Sequence, residues 1–153
     1  MTRKTAREIA IQLGFALAAS NETPQALLER FFEPEHYASL AQEDELYAQL
    51  PDEKQMEYIT RLVTLTHEHR DEIDEQLRRY AKGWRVERMS KTALAVLRTA
   101  LCEILYMEDI PNSAAINEAV ELAKGYDEPD TVSFVNGVLG GFMRGELDKP
   151  AES

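Results

Sequence analysis

The residues best placed to do chemistry lie in the run INEAVELAKGYDEPDTVSFVNGVLGGF, from Ile116 to Phe142. Glu118 and Glu121 stand three residues apart, a spacing that puts two carboxylates on one face of a helix. Paired carboxylates can exchange protons or hold a cation. Either task needs further groups, and the bundle pattern of Glu with Glu-x-x-His is absent. The three histidines are His36, His67 and His69. His67 and His69 are two apart, so they do not share a helix face, and no ligand spacing joins them to Cys, Asp or Glu. No Ser/His/Asp or Cys/His arrangement can be traced, and Gly140-Gly141 falls inside a helical pattern rather than in a phosphate loop. These absences point away from an enzyme, a metal site or a cofactor.

A structural role is the more economical reading of the same residues. Asn117 falls beside an apolar stripe, where its amide can bond the end of a neighbouring helix. Asn136-Gly137 suggests a close helix crossing, with glycine admitting a second backbone. Glu103 invites a similar role, with Arg98 as its partner. Buried polar groups need partners, so such a set would fix helix geometry.

The elements that carry these residues are helical. Residues 4–19 space Ala6, Ile9, Ala10, Leu13, Ala16 and Leu17 along one face. Arg3, Lys4 and Arg7 crowd the first turn, where cations oppose the helix dipole. Thr23-Pro24 has the N-cap and first-position chemistry of a second helix. A short helix is expected within 36–48. Pro51-Asp52 opens a long segment with Met56, Ile59, Leu62, Val63 and Leu65, followed by Ile73, Leu77 and Tyr80. Trp84 is expected to wedge the next loop against the core. Ser90 caps the most apolar helix, about 91–107, whose broad face implies a central position. Its Cys102, the only cysteine, has no internal disulfide partner, reads as a buried small hydrophobe and fits a reducing compartment. After Pro111, Asn112 or Ser113 caps a helix ending at Lys124, with Gly125 just beyond it. Asp130 caps the last helix. No strand-like alternation competes, so the fold class is all-α.

A chain of 153 residues supports one domain with a real core. It has no apolar run of 18 residues and no signal-peptide pattern. The formal charge of −11 argues against a generic nucleic-acid binder, but its distribution is uneven. Residues 1–20 carry +2, 21–57 carry −8, 58–91 carry +2 and 92–153 carry −7. A local basic surface could still meet phosphates, although the overall field opposes a long polyanion.

Three blocks carry a family likeness. Arg3-Lys4 is followed by Ala6-Arg7-Glu8-Ile9-Ala10-Ile11-Gln12-Leu13. Trp84 is followed by Arg88-Met89, Ala95-Val96-Leu97-Arg98 and Glu103-Ile104. The longest block is Ile110-Pro111, then Ala115-Ile116-Asn117-Glu118-Ala119-Val120-Glu121-Leu122-Ala123-Lys124, then Phe134-Val135-Asn136-Gly137-Val138-Leu139. Together they span about residues 3–140, and the chain resembles the NusB family of bacterial transcription antitermination factors.

The resemblance implies a compact fold of about seven helices in two packed bundles. It implies one RNA-binding domain over 1–145 and a polar tail over 146–153. A related domain occurs fused to a ribosomal RNA methyltransferase, for which this chain has no room. Such proteins are cytoplasmic, pair with NusE (ribosomal protein S10), bind boxA RNA and join an RNA polymerase antitermination complex on ribosomal RNA operons. Homodimers also occur among them. By the same likeness Arg3, Lys4 and Arg7 contact RNA, Phe134 stacks on a base, and Asp130 positions the adjoining loop. Phe15 replaces a family tyrosine and faces the NusE-like partner without the hydroxyl. Ala93 stands where some relatives place an acidic partner contact, and Thr5 where an arginine can occur. A basic partner would supply the missing cations. The competing reading keeps the fold but makes the chain a protein-interaction scaffold with weak or no RNA binding of its own.

Overall fold

The computed structural model describes residues 1–81, 89–125 and 129–147. They form eight α-helices and no strand, as the spacing of apolar residues predicts. The chain divides into two compact units, Met1–Glu68 and His69–Ser153. Trp84 lies outside the described residues, and so does Asp127.

The first unit holds α1 (Arg3–Ala18), α2 (Pro24–Phe31), α3 (Pro34–Ala41), a short 3-10 turn (Glu45–Tyr47) and α4 (Glu53–Glu68). Helix α1 packs against α4, and α2 packs on both. The apolar stripe of α1 delivers Ile9 and Leu13 to this contact, while α4 supplies Ile59 and Leu62, all fully buried. Each such side chain contributes about 1.5–3 kcal/mol by leaving water. Thr23 caps α2 by accepting from the Ala26 amide at 3.1 Å, with Pro24 as the first helical residue. Asp52 and Gln55 exchange hydrogen bonds at the start of α4, 2.8 and 2.9 Å long, in a reciprocal cap. The expected short helix within 36–48 is shifted. Pro34 starts it early, because Glu33 accepts from the amides of Glu35 and His36. Here the rings of Phe31, Phe32, Tyr37 and Tyr47 pack edge-on or stacked, with centroids 4.9–5.9 Å apart. The Tyr37 hydroxyl donates to the Gln49 carbonyl at 2.8 Å.

The second unit holds α5 (Arg70–Tyr80), α6 (Lys91–Tyr106), α7 (Asn112–Lys124) and α8 (Pro129–Phe142), which runs on into a π-helical turn (Met143–Leu147). Helix α6 touches α5, α7 and α8, so the helix with the broadest apolar surface is the central one. Ser90 caps it by accepting from the Ala93 amide at 3.1 Å, and Cys102 is buried.

Two local expectations are corrected. Helix α7 begins at Asn112 with Pro111 as its N-cap and no side-chain cap, so neither Asn112 nor Ser113 takes that role. Proline's fixed φ already sets the extended geometry there. Helix α7 ends at Lys124 with Gly125 just beyond it, as expected, and Gly125 keeps right-handed backbone at φ −77°. Asp130 is inside the first turn of α8, one residue past Pro129, and is exposed. Its carboxylate favours the positive end of the helix without being the cap.

Candidate functional site

The basic start of α1 is built by the Thr2 cap, whose hydroxyl accepts from the Thr5 amide at 3.1 Å. Arg3 and Lys4 are exposed. The Arg3 guanidinium lies 4.5 Å from the centroid of the Tyr58 ring on α4, which fixes its stem and leaves it on the surface. Arg7, one turn on, is only 3% exposed, with its guanidinium 5.7 Å from the same ring. The sequence groups the three cations, but the fold separates them. The turn of α1 that buries Ala6 and Ile9 carries Arg7 inward with them.

Phe15 is half-buried on α1, and so retains a face for a partner. Ala93 is 5% exposed, because the first turn of α6 is folded into the second unit. A residue that small and that buried offers almost no contact area.

On α8, Asp130 and Phe134 are four residues apart and share a face. Phe134 is half-buried and borders a cleft of about 560 Å³ with Arg79, Tyr80, Gly137 and Arg144. Among the described residues no atom lies within 4 Å of where a Cβ on Gly137 would be, so none of them makes the expected close backbone crossing at Asn136-Gly137. Asn136 and Asn117 are both exposed, which removes the buried geometry-setting role expected of them. Glu121 is exposed and pairs with Lys124 at 3.0 Å, an i,i+3 contact within one helix. Glu118 is partly buried on the same helix. No cluster of three or more His, Cys, Asp or Glu suited to a metal occurs among the described residues.

Glu103 is fully buried, as a structural role requires, while Arg98 turns to a carboxylate on another helix. Arg98 donates to Asp74 on α5 through Nε at 2.8 Å and Nη2 at 2.7 Å. This forked pair, with side chains 15% and 10% exposed, ties α5 to α6. Sequence reasoning missed Asp74, since an aspartate in a highly charged helix looks like part of a solvated face.

A second polar group missed from sequence sits on the surface of the same unit. The Glu72 carboxylate accepts from His69 Nδ1 at 2.6 Å and from the Tyr106 hydroxyl at 3.0 Å, while the His69 and Tyr106 rings stack 3.9 Å apart. The hydrogen bond from His69, then that from Tyr106, holds Glu72 below the usual carboxylate range. Burial, reinforced by Glu72, pushes the Tyr106 phenol up to about 12. A depressed folded-state value means that the Glu72 contribution is present above the unfolded value and is lost as pH falls through the folded one. Glu72→Gln is therefore expected to lower the melting temperature slightly at about pH 7 and to approach wild type in acid, below the folded-state value. Paired thermal melts at the two pH values check this.

Residues 4–144 match the model of the NusB family. The chain belongs to the NusB family. Among its relatives is the transcription antitermination protein NusB of Symbiobacterium thermophilum, 40% identical over 145 residues, 95% of this chain and 91% of that protein. T. maritima NusB superposes with a TM-score of 0.74 at 28% identity, covering 95% of this chain and 92% of that structure. The same fold, with a TM-score of 0.71 at 22% identity over 93% of this chain and 96% of that one, occurs in a crystal structure of antitermination factors NusB and NusE in complex with double-stranded RNA. The family is one of transcription factors, and no described helix of this member is long and apolar enough to cross a membrane.

Proposed function

We propose that this NusB-family protein acts in the cytoplasm as a transcription antitermination factor that binds boxA RNA together with NusE. It would do so as one RNA-binding domain over 1–145, joining an RNA polymerase complex on ribosomal RNA operons. The observation that carries the reading is the 40% identity to an antitermination protein across 95% of the chain. Physical support comes from the start of α1. In a chain of net charge −11, Arg3 and Lys4 stand exposed on a capped, rigid helix. Exposed cations on a rigid element can neutralise phosphates at low ordering cost. The opposing net field makes a basic partner physically useful, since it lowers the repulsion of the polyanion. Arg7 supports the site from beneath by filling the space beside Tyr58. Phe134 offers a ring for stacking, and Asp130 sits one turn before it. Phe15 is the better-placed partner contact, because Ala93 is buried.

Transcription through a terminator downstream of a boxA-bearing ribosomal RNA leader tests the proposal. Adding the protein with NusE to an otherwise complete reaction should raise read-through. Read-through that stays at the level without the protein would contradict it.

A further inference from the structure

Beneath the basic start of α1 lies a ring that belongs to another helix. Tyr58, on α4, is only 4% exposed, so RNA has almost no access to it. Two guanidinium groups of α1 converge on this ring, Arg3 at 4.5 Å from its centroid and Arg7 at 5.7 Å. They stand four residues apart, on one face of the helix. Arg7 is buried and Arg3 exposed, so Arg3 is the outermost of the three groups. A cation in the first turn opposes the helix dipole, and the negative face of the ring compensates it. Helix α4 holds the same turn a second time. Gln55, three residues before Tyr58, donates from its side-chain amide to the Met1 carbonyl. The Thr2 cap fixes where the helix begins. Lys4 is exposed as well, but one residue turns the helix by about 100°, and among the described residues no ring lies under it.

We propose that Tyr58 is a positioning residue for RNA binding. It holds the Arg3 guanidinium against its face, ready to fork onto one RNA phosphate, while Lys4 acts as a mobile point charge. A guanidinium on a ring keeps its N–H donors at its edge, and that fork matches two phosphate oxygens at once. Part of the side-chain ordering that binding demands is then complete in the free protein. The two exposed cations are therefore unequal, although the sequence sets them side by side. The proposal rests on the RNA-binding reading above and adds to it the residue through which Arg3 is set.

Tyr58→Met removes the ring and keeps a buried apolar side chain, whereas Tyr58→Phe keeps the ring. Labelled single-stranded boxA RNA is titrated into the protein–NusE complex of each, below the melting range, with and without Arg3→Ala. Tyr58→Met should weaken binding by about threefold when Arg3 is present. It should have no further effect once Arg3→Ala is made, because it acts through that residue. Tyr58→Phe should bind as the wild type does. Arg3→Lys keeps the charge at an exposed position and should still weaken binding by about threefold, whereas Lys4→Arg should leave it unchanged. In the free wild-type protein the Tyr58 ring current should move the Arg3 side-chain protons upfield in the NMR spectrum. An equal loss from Tyr58→Met with and without Arg3 would overturn the proposal, by making Tyr58 a structural residue only. Full affinity in Arg3→Lys, or unshifted Arg3 protons, would overturn it too, and these two results decide if Tyr58→Met does not fold. If Arg3→Ala with Lys4→Ala weakens RNA binding while Tyr58→Met does not, the positioning role alone is wrong. If the wild-type complex shows no salt-dependent RNA binding, both readings fall.

Discussion

Asp74→Ala is expected to cost about 3–5 kcal/mol of stability, the largest effect of any single substitution considered. In a chain of this length that lowers the melting temperature by about 10 °C or more. The reason is what the truncation leaves behind. Arg98 donates two hydrogen bonds to Asp74, and its side chain is only 15% exposed. Without the carboxylate, the guanidinium stays largely out of water and loses both of these hydrogen bonds. Arg98→Ala strands the carboxylate in the same way. Replacing both by apolar residues of similar size should recover most of the loss, because neither charge is then left desolvated. Thermal and urea melts of the two single variants and the double variant form a cycle. Additive losses would show that the pair does not act as a unit.

The second large effect concerns RNA affinity. Arg3→Ala with Lys4→Ala should weaken boxA binding by about tenfold near physiological salt, with a salt slope shallower by about 1.4. Melting should change little, because both side chains are exposed. Arg7→Ala should do the reverse. Its guanidinium is 3% exposed beside Tyr58, so its loss costs about 2 kcal/mol of packing and cation–ring contact. Its RNA affinity, measured below the melting range, should keep the wild-type salt slope. Anisotropy titrations and melts on the same samples separate the two classes. Equal salt slopes for all three proteins would remove the start of α1 from the RNA contact.

Local chemistry was legible in the sequence. Thr23-Pro24 and Ser90 act as caps because an N-cap needs only a hydroxyl and the amide three residues on. The apolar stripe of α1 names its buried face apart from exposed Ala16, while on α6 Leu97 and Leu101 are buried but Leu94, Ile104 and Leu105 only half-buried; the all-α class follows from such stripes. What failed depended on groups distant in sequence. Arg98 was matched to nearby Glu103, whereas its partner lies 24 residues earlier, on another helix. Arg7 was grouped with Arg3 and Lys4, and only the packing of α1 on α4 shows it turned inward. Asn117 and Asn136 were expected to be buried because they adjoin apolar positions. A step of one residue turns a helix by about 100°, enough to leave both in water. The cleft was not legible at all, since it depends on space left open at Gly137 and on Tyr80 lying over Gly141 and Gly145. The sequence showed glycines in a helix and suggested a crossing that none of the described residues makes.

The central claim is that this chain binds RNA as a partner of NusE. Its most direct test is the affinity of labelled boxA RNA for the protein with and without NusE, at two salt concentrations. The account predicts that NusE strengthens binding and that affinity falls as salt rises. NusE binding with no gain in RNA affinity would contradict it and leave the chain a protein-interaction scaffold.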